Sequence, residues 1–157
     1  MTLVVREMEP QDVAACVGII NEIIKIGGTT AYEEPYTEEK FEAHYLNEAA
    51  TARVVLHDDR LVGFQSCFEV EEGIYSVGSF TDQINPVRGA GRALIEGTIA
   101  AARRNGATTI LAKITSDNTG GLSYYSKMGF QDHVVIAGDL TRRDGTVVDR
   151  VIKKLDL

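Results

Sequence analysis

The chain has no apolar run approaching the ~20 residues that a membrane-spanning helix needs, so it is not expected to embed in a membrane. An excess of basic residues is also missing. Sixteen Lys and Arg stand against twenty-three Asp and Glu, for a net charge of -7. Surfaces that hold nucleic acid or anionic membrane are usually basic, so neither partner is expected. Cysteine is scarce: Cys16 and Cys67 lie far apart, in apolar surroundings and without metal-ligand spacing. They read as two buried thiols in a reducing cytosol, not as a disulfide or a metal site. The opening residues Met1-Thr2-Leu3-Val4-Val5-Arg6 lack the layout of a secretory signal, so a cytoplasmic protein is expected. Linkers, internal repeats and low-complexity stretches are absent as well. The 157 residues suit one domain, 1–157, long enough to bury a proper core.

What is present is an alternation of strand and helix patterns. Leu3 to Glu7 reads as a first strand, and Glu9-Pro10-Gln11-Asp12 opens a helix with Pro in its first turn and acids at the positive dipole end. Val13, Val17, Ile20 and Ile24 give that helix an apolar face, and Gly27-Gly28 stops it. Thr29 to Tyr36 has no helical period and is expected to be an exposed, extended loop. Thr37 then caps a second helix that buries Phe41 and Tyr45. Ala52–His57, Leu61–Val70 and Ile74–Ile84, separated by short turns, predict an antiparallel meander. A helix follows with Leu94, Ile95, Ile99 and Ala102 on one face, ended by Asn105-Gly106. The strand Thr108–Ile114 should lie parallel to the one ending at Ile84, because a helix connects them. A short helix around Gly121–Met128 and a hairpin of Asp132–Leu140 and Thr146–Leu155 across Arg143-Asp144-Gly145 complete the chain. The order is β-α-α-β-β-β-α-β-α-β-β, an α+β domain.

The informative stretch is Ile84-Asn85-Pro86-Val87-Arg88-Gly89-Ala90-Gly91-Arg92-Ala93-Leu94, a strand end, a glycine turn and a helix start. Small residues leave backbone N–H groups uncovered there, and the helix dipole adds positive potential, so the stretch suits phosphate. A dinucleotide fold would need Gly-x-Gly-x-x-Gly after the first strand of a βαβ unit, and the third glycine and the context are missing. A P-loop would need Gly-Lys-Ser/Thr, which is absent.

Arg88-Gly89-Ala90-Gly91-Arg92-Ala93 does fit Arg/Gln-x-x-Gly-x-Gly/Ala and resembles the pyrophosphate loop of the GNAT superfamily of N-acetyltransferases. Asn118-Thr119-Gly120-Gly121-Leu122-Ser123-Tyr124-Tyr125-Ser126-Lys127-Met128-Gly129-Phe130 resembles that family's second signature, an Asn seven before a Tyr and then Gly-Phe. The resemblance spans essentially the whole chain. Thr29 to Pro35, Ser116-Asp117-Asn118 and the closing hairpin with Asp149 are similar to the branch around phosphinothricin and methionine-sulfoximine N-acetyltransferases.

The resemblance implies a GNAT acyl-CoA acyltransferase fold, with a mixed, mostly antiparallel sheet flanked by helices. It implies acetyl-CoA as co-substrate, entering between the splayed strands that end at Ile84 and Ile114. Backbone groups of Thr81, Asp82, Gln83 and Ile84 would pair with the pantetheine arm. The amides of Arg88, Gly89, Ala90, Gly91, Arg92 and Ala93 would hold the pyrophosphate, and Asn118 would bond the cofactor arm or cap the short helix. Tyr125 occupies the place of the general acid that protonates the departing thiolate, and a phenol suits that task. Tyr124, about 100° around the helix, is the poorer candidate.

The base stays open. Relatives in the branch carry a glutamate on the strand before the phosphate loop, where this chain has Ser79. Glu33, Glu34, Asp82 or a water relay through Ser79 and Thr81 are the candidates, with Glu33 placed first as base or substrate-binding residue. His44, His57 and His133 read as bystanders. Related enzymes for phosphinic amino acids place arginines along the third strand, and Gly63 to Glu69 has none. Arg142 or Arg143 of the final hairpin could supply the anion site instead, within one chain or across a dimer of the kind relatives often form. The expected acceptor is a small-molecule amine, such as an amino acid, an analogue like methionine sulfoximine or phosphinothricin, or a polyamine. The alternatives are a non-catalytic acyl-CoA-binding module and a protein or peptide N-acetyltransferase; for the latter the chain gives little sign of a long peptide groove.

Overall fold

The computed structural model describes residues 2–157. Strand β1 (Leu3–Glu7) leads through a 3-10 turn, Pro10–Asp12, into α1 (Val13–Ile26). The carboxylate of Asp12 accepts from the Glu9 amide at 2.8 Å and forms a two-pronged pair with Arg6, both contacts at 2.8 Å. That pairing ties the helix start to the first strand. Val13, Cys16, Ile20, Ile23 and Ile24 recur at helical spacing and bury one face of α1. Gly27, with a φ of 77°, ends it.

Helix α2 (Glu38–Phe41) is capped by the Thr37 hydroxyl, which accepts from the Lys40 amide at 3.2 Å, and continues as a π-helical segment, Glu42–Asn47. Phe41 and Tyr45 stack 4.9 Å apart and pack edge-on to Phe64. Burial of rings of this size accounts for much of the core on that side.

Strands β2 (Thr51–His57), β3 (Arg60–Glu71) and β4 (Ile74–Thr81) form the expected meander. Asp58 and Asp59 make its first turn with positive φ values of 48° and 71°, the backbone of a tight hairpin turn. Helix α3 (Ala90–Arg104) crosses to β5 (Thr109–Thr115), which runs parallel to β4. Helix α4 (Thr119–Lys127) precedes the hairpin of β6 (Gln131–Thr141) and β7 (Val147–Asp156). The sheet has seven strands in the order β1-β2-β3-β4-β5-β7-β6, antiparallel except at β4–β5. The element order and the mixed, mostly antiparallel sheet are as the sequence predicts. No helix among the described residues is long and apolar enough to cross a membrane.

The two sheet faces differ. Helices α1 and α2 cover one, with Ile20, Phe41, Tyr45, Phe64 and Phe80 in its core. Against the other lie α3 and α4, with Ile95, Ala102, Ile110, Ala112, Tyr125 and Phe130. Both cysteines are buried and free.

Candidate active site

The β4–β5 ladder starts at Ile74↔Thr109 and stops at Val77↔Ala112. Both strands continue beyond it, β4 to Thr81 on its pairing with β3 and β5 to Thr115 on its pairing with β7. Two parallel strands that stay ordered after they cease to pair leave a wedge between them, and its edges carry unpaired backbone groups. A cavity of about 810 Å³ occupies the wedge, lined by residues from both sides of the sheet. Thr81, Gln83, Ala90, Gly91, Asn118 and Tyr125 line it together.

On the α3 side, Gly89 takes a φ of 89° to turn the chain into the helix. No side chain caps this helix. The Ala90 amide reaches Val87 O at 3.2 Å and the Ala93 amide reaches Gly89 O at 3.0 Å, which leaves the intervening Gly91 and Arg92 amides as the orphan donors of a helix start. A 15-residue helix with an uncapped, glycine-lined N-terminus fits an anion such as a pyrophosphate. A Cβ on Gly91 would stand 2.8 Å from Cε1 of Tyr124, so only glycine lets α4 approach.

The two tyrosines of α4 differ in their commitments. The Tyr124 hydroxyl donates to Gly91 O at 2.7 Å and accepts from Gln65 Nε2 at 2.8 Å. Burial pushes its phenol up to about 12, opposed by hydrogen bonds to Ser79 and Gln65. Tyr124 therefore joins β3 to the α3 start. The Tyr125 ring packs on Phe130 at 5.0 Å, and its residue is 7% exposed yet lines the cavity. Burial raises the Tyr125 phenol well above its ordinary range, Tyr124 and Cys67 add to the rise, and the Ser79 hydroxyl opposes it. Such a phenol stays protonated. A protonated phenol at this place is a donor facing the cavity.

Asn118 caps α4, its Oδ1 accepting from the Gly121 amide at 2.9 Å, and its side-chain nitrogen has no part in that bond. Of the segment expected to pair with a cofactor arm, Thr81 and Gln83 line the cavity and Asp82 and Ile84 do not. The strand ends at Thr81, not Ile84, because the Asp82 carboxylate accepts the amides of Ile84 and Asn85, both at 2.9 Å, and closes a turn. The Asp82 amide is taken by Val62 O at 2.9 Å. The same carboxylate meets Arg60 at 2.8 Å, and backbone bonds from Asn85 and Ile84, with Arg60, hold it below the usual carboxylate range. A carboxylate so stabilised is a poor base, so Asp82 is removed from that role. Arg88 and Arg92 are exposed at the turn, and their side chains, with Gly89 and Ala93, lie outside the lining.

The other half of the cavity is built by the loop 27–37 and by side chains on the α1 side. Asn21 fixes the loop's end, donating to Tyr36 O at 2.9 Å and accepting from its amide at 2.7 Å. Arg142, 8% exposed, fixes its start. Its guanidinium donates to both oxygens of Asp117 at 2.8 and 2.9 Å, to Thr30 O at 2.9 Å and to the Thr115 hydroxyl at 3.2 Å. The Thr115 hydroxyl in turn donates to Thr29 O at 3.1 Å. Arg142 is thus not the open anion site suggested by sequence, since four of its five N–H donors are spent inside the clamp. Arg143 pairs with Glu34, and its amide donates to the two oxygens of Glu33 at 3.1 and 3.2 Å. Glu33 stands outside the cavity lining and Glu34 is ion-paired, so the acidic pair expected to face the reaction braces the hairpin tip instead. The loop, half of whose residues 29–36 are exposed and none buried, is consequently tied down at both ends.

His44, Tyr32, Lys113 and Arg150 are among the lining residues that sequence did not single out as site residues. His44, read as a bystander, lines the cavity with its ring stacked 4.4 Å from Phe68 and Nδ1 3.2 Å from Glu48 Oε2. The i,i+4 spacing of His44 and Glu48 was the available signal. Tyr32 stands at the mouth, edge-on to Tyr36 at 5.4 Å. Lys113 and Arg150 complete the wall from β5 and β7. Beneath them Gln65, fully buried, links Ser79 and Tyr124 and keeps its own Oε1 without a partner among the described residues.

A profile of the acetyltransferase (GNAT) family matches residues 20–130. The N-acetyltransferase of Staphylococcus aureus Mu50 superposes with a TM-score of 0.88 at 18% identity, over 99% of both chains. The ribosomal-protein-alanine N-acetyltransferase of Brucella melitensis gives 0.86 at 18% identity, over 98% of this chain and 99% of its own. The phosphinothricin acetyltransferase of Sinorhizobium meliloti, solved in complex with acetyl-CoA, gives 0.87 at 17% identity, over 100% of this chain and 89% of its own. At these identities the shared property is the fold, and the acceptors these proteins are named for differ. None of the curated proteins matches the sequence.

Proposed function

The chain belongs to the acetyltransferase (GNAT) family, and from that membership we propose that it transfers the acetyl group of acetyl-CoA to the primary amine of a small molecule, an amino acid or amino-acid analogue, with Tyr125 as general acid. One observation carries this reading: β4 and β5 part at Val77 and Ala112 and open a cavity that Tyr125, Asn118 and the uncapped start of α3 all line.

The chemistry asks little of side chains. The thioester carbon accepts the amine lone pair, a C–N bond forms, the C–S bond breaks, and the sulfur takes a proton. The unpaired edge of β4 around Thr81 and Gln83 offers backbone groups to the amides of the pantetheine arm, as a missing strand would. The Gly91 and Arg92 amides, with the α3 dipole, suit the pyrophosphate. The Tyr125 hydroxyl supplies the proton to sulfur, because the Tyr124 hydroxyl is already engaged with Gly91 and Gln65. For the proton leaving the amine, the water path along Ser79 and Thr81 is the candidate whose residues both line the cavity, whereas Glu33, Glu34 and Asp82 are spent on other contacts.

Release of the CoA thiol, followed with a thiol reagent over a panel of amines, tests the reading. The panel holds common amino acids, methionine sulfoximine, phosphinothricin, polyamines and an alanine-initiated peptide. Acetyl-dependent thiol release with at least one small amine is expected. Measurable CoA binding with no release on any amine would make the chain a non-catalytic acyl-CoA-binding module, and release with the peptide alone would make it a protein N-acetyltransferase.

A further inference from the structure

We infer that the acceptor carries an oxyanion, a carboxylate or its like, which sits between Lys113 and Arg150 on the α1 side of the wedge. This inference rests on the acetyltransferase reading of the same cavity and specifies the substrate it takes.

Strand register supplies the placement. In β5, Ala112 and Ile114 are buried in the cluster that contains Tyr125 and Phe130, so they face α3 and α4. Side chains alternate along a strand, which sends Lys113 and Thr115 to the opposite face. Thr115 confirms this, since its hydroxyl bonds Thr29 O of the covering loop. Arg150 is the direct partner of Thr115 in the β5–β7 ladder, and Lys113 pairs with Ile152. Paired residues share a face, so Arg150 and Lys113 are diagonal neighbours on it, about 7–8 Å apart at the backbone and within reach of one small anion. Both line the cavity.

The charge balance there runs against the rest of the molecule. The protein carries -7 overall, yet Asp117 is the one carboxylate in the lining, and Arg142 already bonds both of its oxygens. Lys113 is exposed to the cavity and has no hydrogen bond or ion pair among the described residues. Arg150 gives Nε to Asp139 at 3.0 Å, while its two terminal nitrogens have no such partner. A polyamine would meet two cations and no free carboxylate on this wall, whereas an anionic amine would meet two charge-assisted donors. Ile23, Ile26 and Phe68 supply an apolar wall in the same half. The phosphates of acetyl-CoA do not compete for the corner, because the α3 start lies on the other face of the sheet. Gly63 to Glu69 of β3 supplies no basic side chain to this wall, so Lys113 and Arg150 are the Lys and Arg side chains of the lining.

Calorimetric titration of N-acetylleucine and N-acetylleucinamide into the CoA-loaded protein tests the inference without depending on turnover. The two probes share one skeleton and differ in a carboxylate against a neutral carboxamide. N-acetylleucine is expected to bind at least about tenfold more tightly, and Lys113→Met to abolish most of that difference while leaving the amide probe unchanged, with Lys113→Arg restoring it. Equal affinity of the two probes, undetectable binding of both, or a preference that survives Lys113→Met would each overturn it. Thiol release measured on the same preparations reports separately whether the protein is an acetyltransferase. Anion-selective binding without thiol release would leave the corner standing and remove the catalytic reading.

Discussion

The two halves of the cavity are made in different ways. The half proposed for the cofactor is mostly backbone: the free edge of β4 after Val77, the orphan amides at the start of α3, and small residues that let chains come close. The half proposed for the acceptor is mostly side chains, brought together by a loop that Arg142 and Arg143 hold in place. Backbone donors serve any acyl-CoA, and they tolerate change in the exposed residues around them. Side-chain walls set which amine enters, and each can be replaced singly. A common transfer chemistry with varied acceptors follows from that division.

The halves meet at Tyr125, and the largest expected effect is there. Tyr125→Phe should lower kcat by about 10²–10⁴-fold with little change in the Kd for acetyl-CoA, measured by steady-state kinetics and calorimetry. An unchanged kcat would leave Tyr125 as a core ring only. Arg142→Ala removes the guanidinium from a nearly closed site and leaves the Asp117 carboxylate and Thr30 O without their donor. A loss of about 3 kcal/mol, seen as a Tm lower by about 6 °C or more, is expected. Gly91→Ala forces its new methyl onto the Tyr124 ring and should cost about 1–3 kcal/mol together with weaker acetyl-CoA binding. Glu33→Gln keeps an acceptor for the Arg143 amide and should change kcat/KM by less than about threefold. A loss of activity near 100-fold would return Glu33 to the chemistry.

Acid tests the clamp as well. Arg142 hydrogen bonds, opposed by burial, hold the Asp117 carboxyl below its ordinary 3.8. Stability from a group whose pKa is lowered by folding is fully present above the unfolded value and fades as pH falls through the folded one. The wild-type Tm should therefore drop more than that of Arg142→Ala between about pH 4 and 3. Equal drops would mean that the pair contributes nothing to acid sensitivity.

The same division explains what the sequence made legible. Periodicity and turn residues gave every helix and strand, since each depends on neighbours in the chain. The glycine turn into α3 and the helix that Asn118 caps were legible because their parts lie close together in sequence. The strand end at Thr81 was missed because Ile84 reads as strand while the Asp82 side chain, through its bonds to the Ile84 and Asn85 amides, decides otherwise. The acceptor half was not legible. Its contacts join residues 112 apart at Thr30 and Arg142 and 86 apart at Thr29 and Thr115, and nothing local marks either. Glu33 reads as a base or substrate-binding residue for the same reason, since the amide it accepts from is 110 residues away. Nothing in the strand Thr108–Ile114 marks Lys113 as a site residue, because its cavity exists only where β4 and β5 part.

Thr115→Val separates the halves most directly, because it removes the hydroxyl that links Arg142 to Thr29 O without changing side-chain volume. Calorimetry of acetyl-CoA and the acceptor KM, measured on one preparation of this variant, should show a Kd within about twofold of wild type and a KM raised about fivefold or more. Equal weakening of both would contradict the separate support of the two halves.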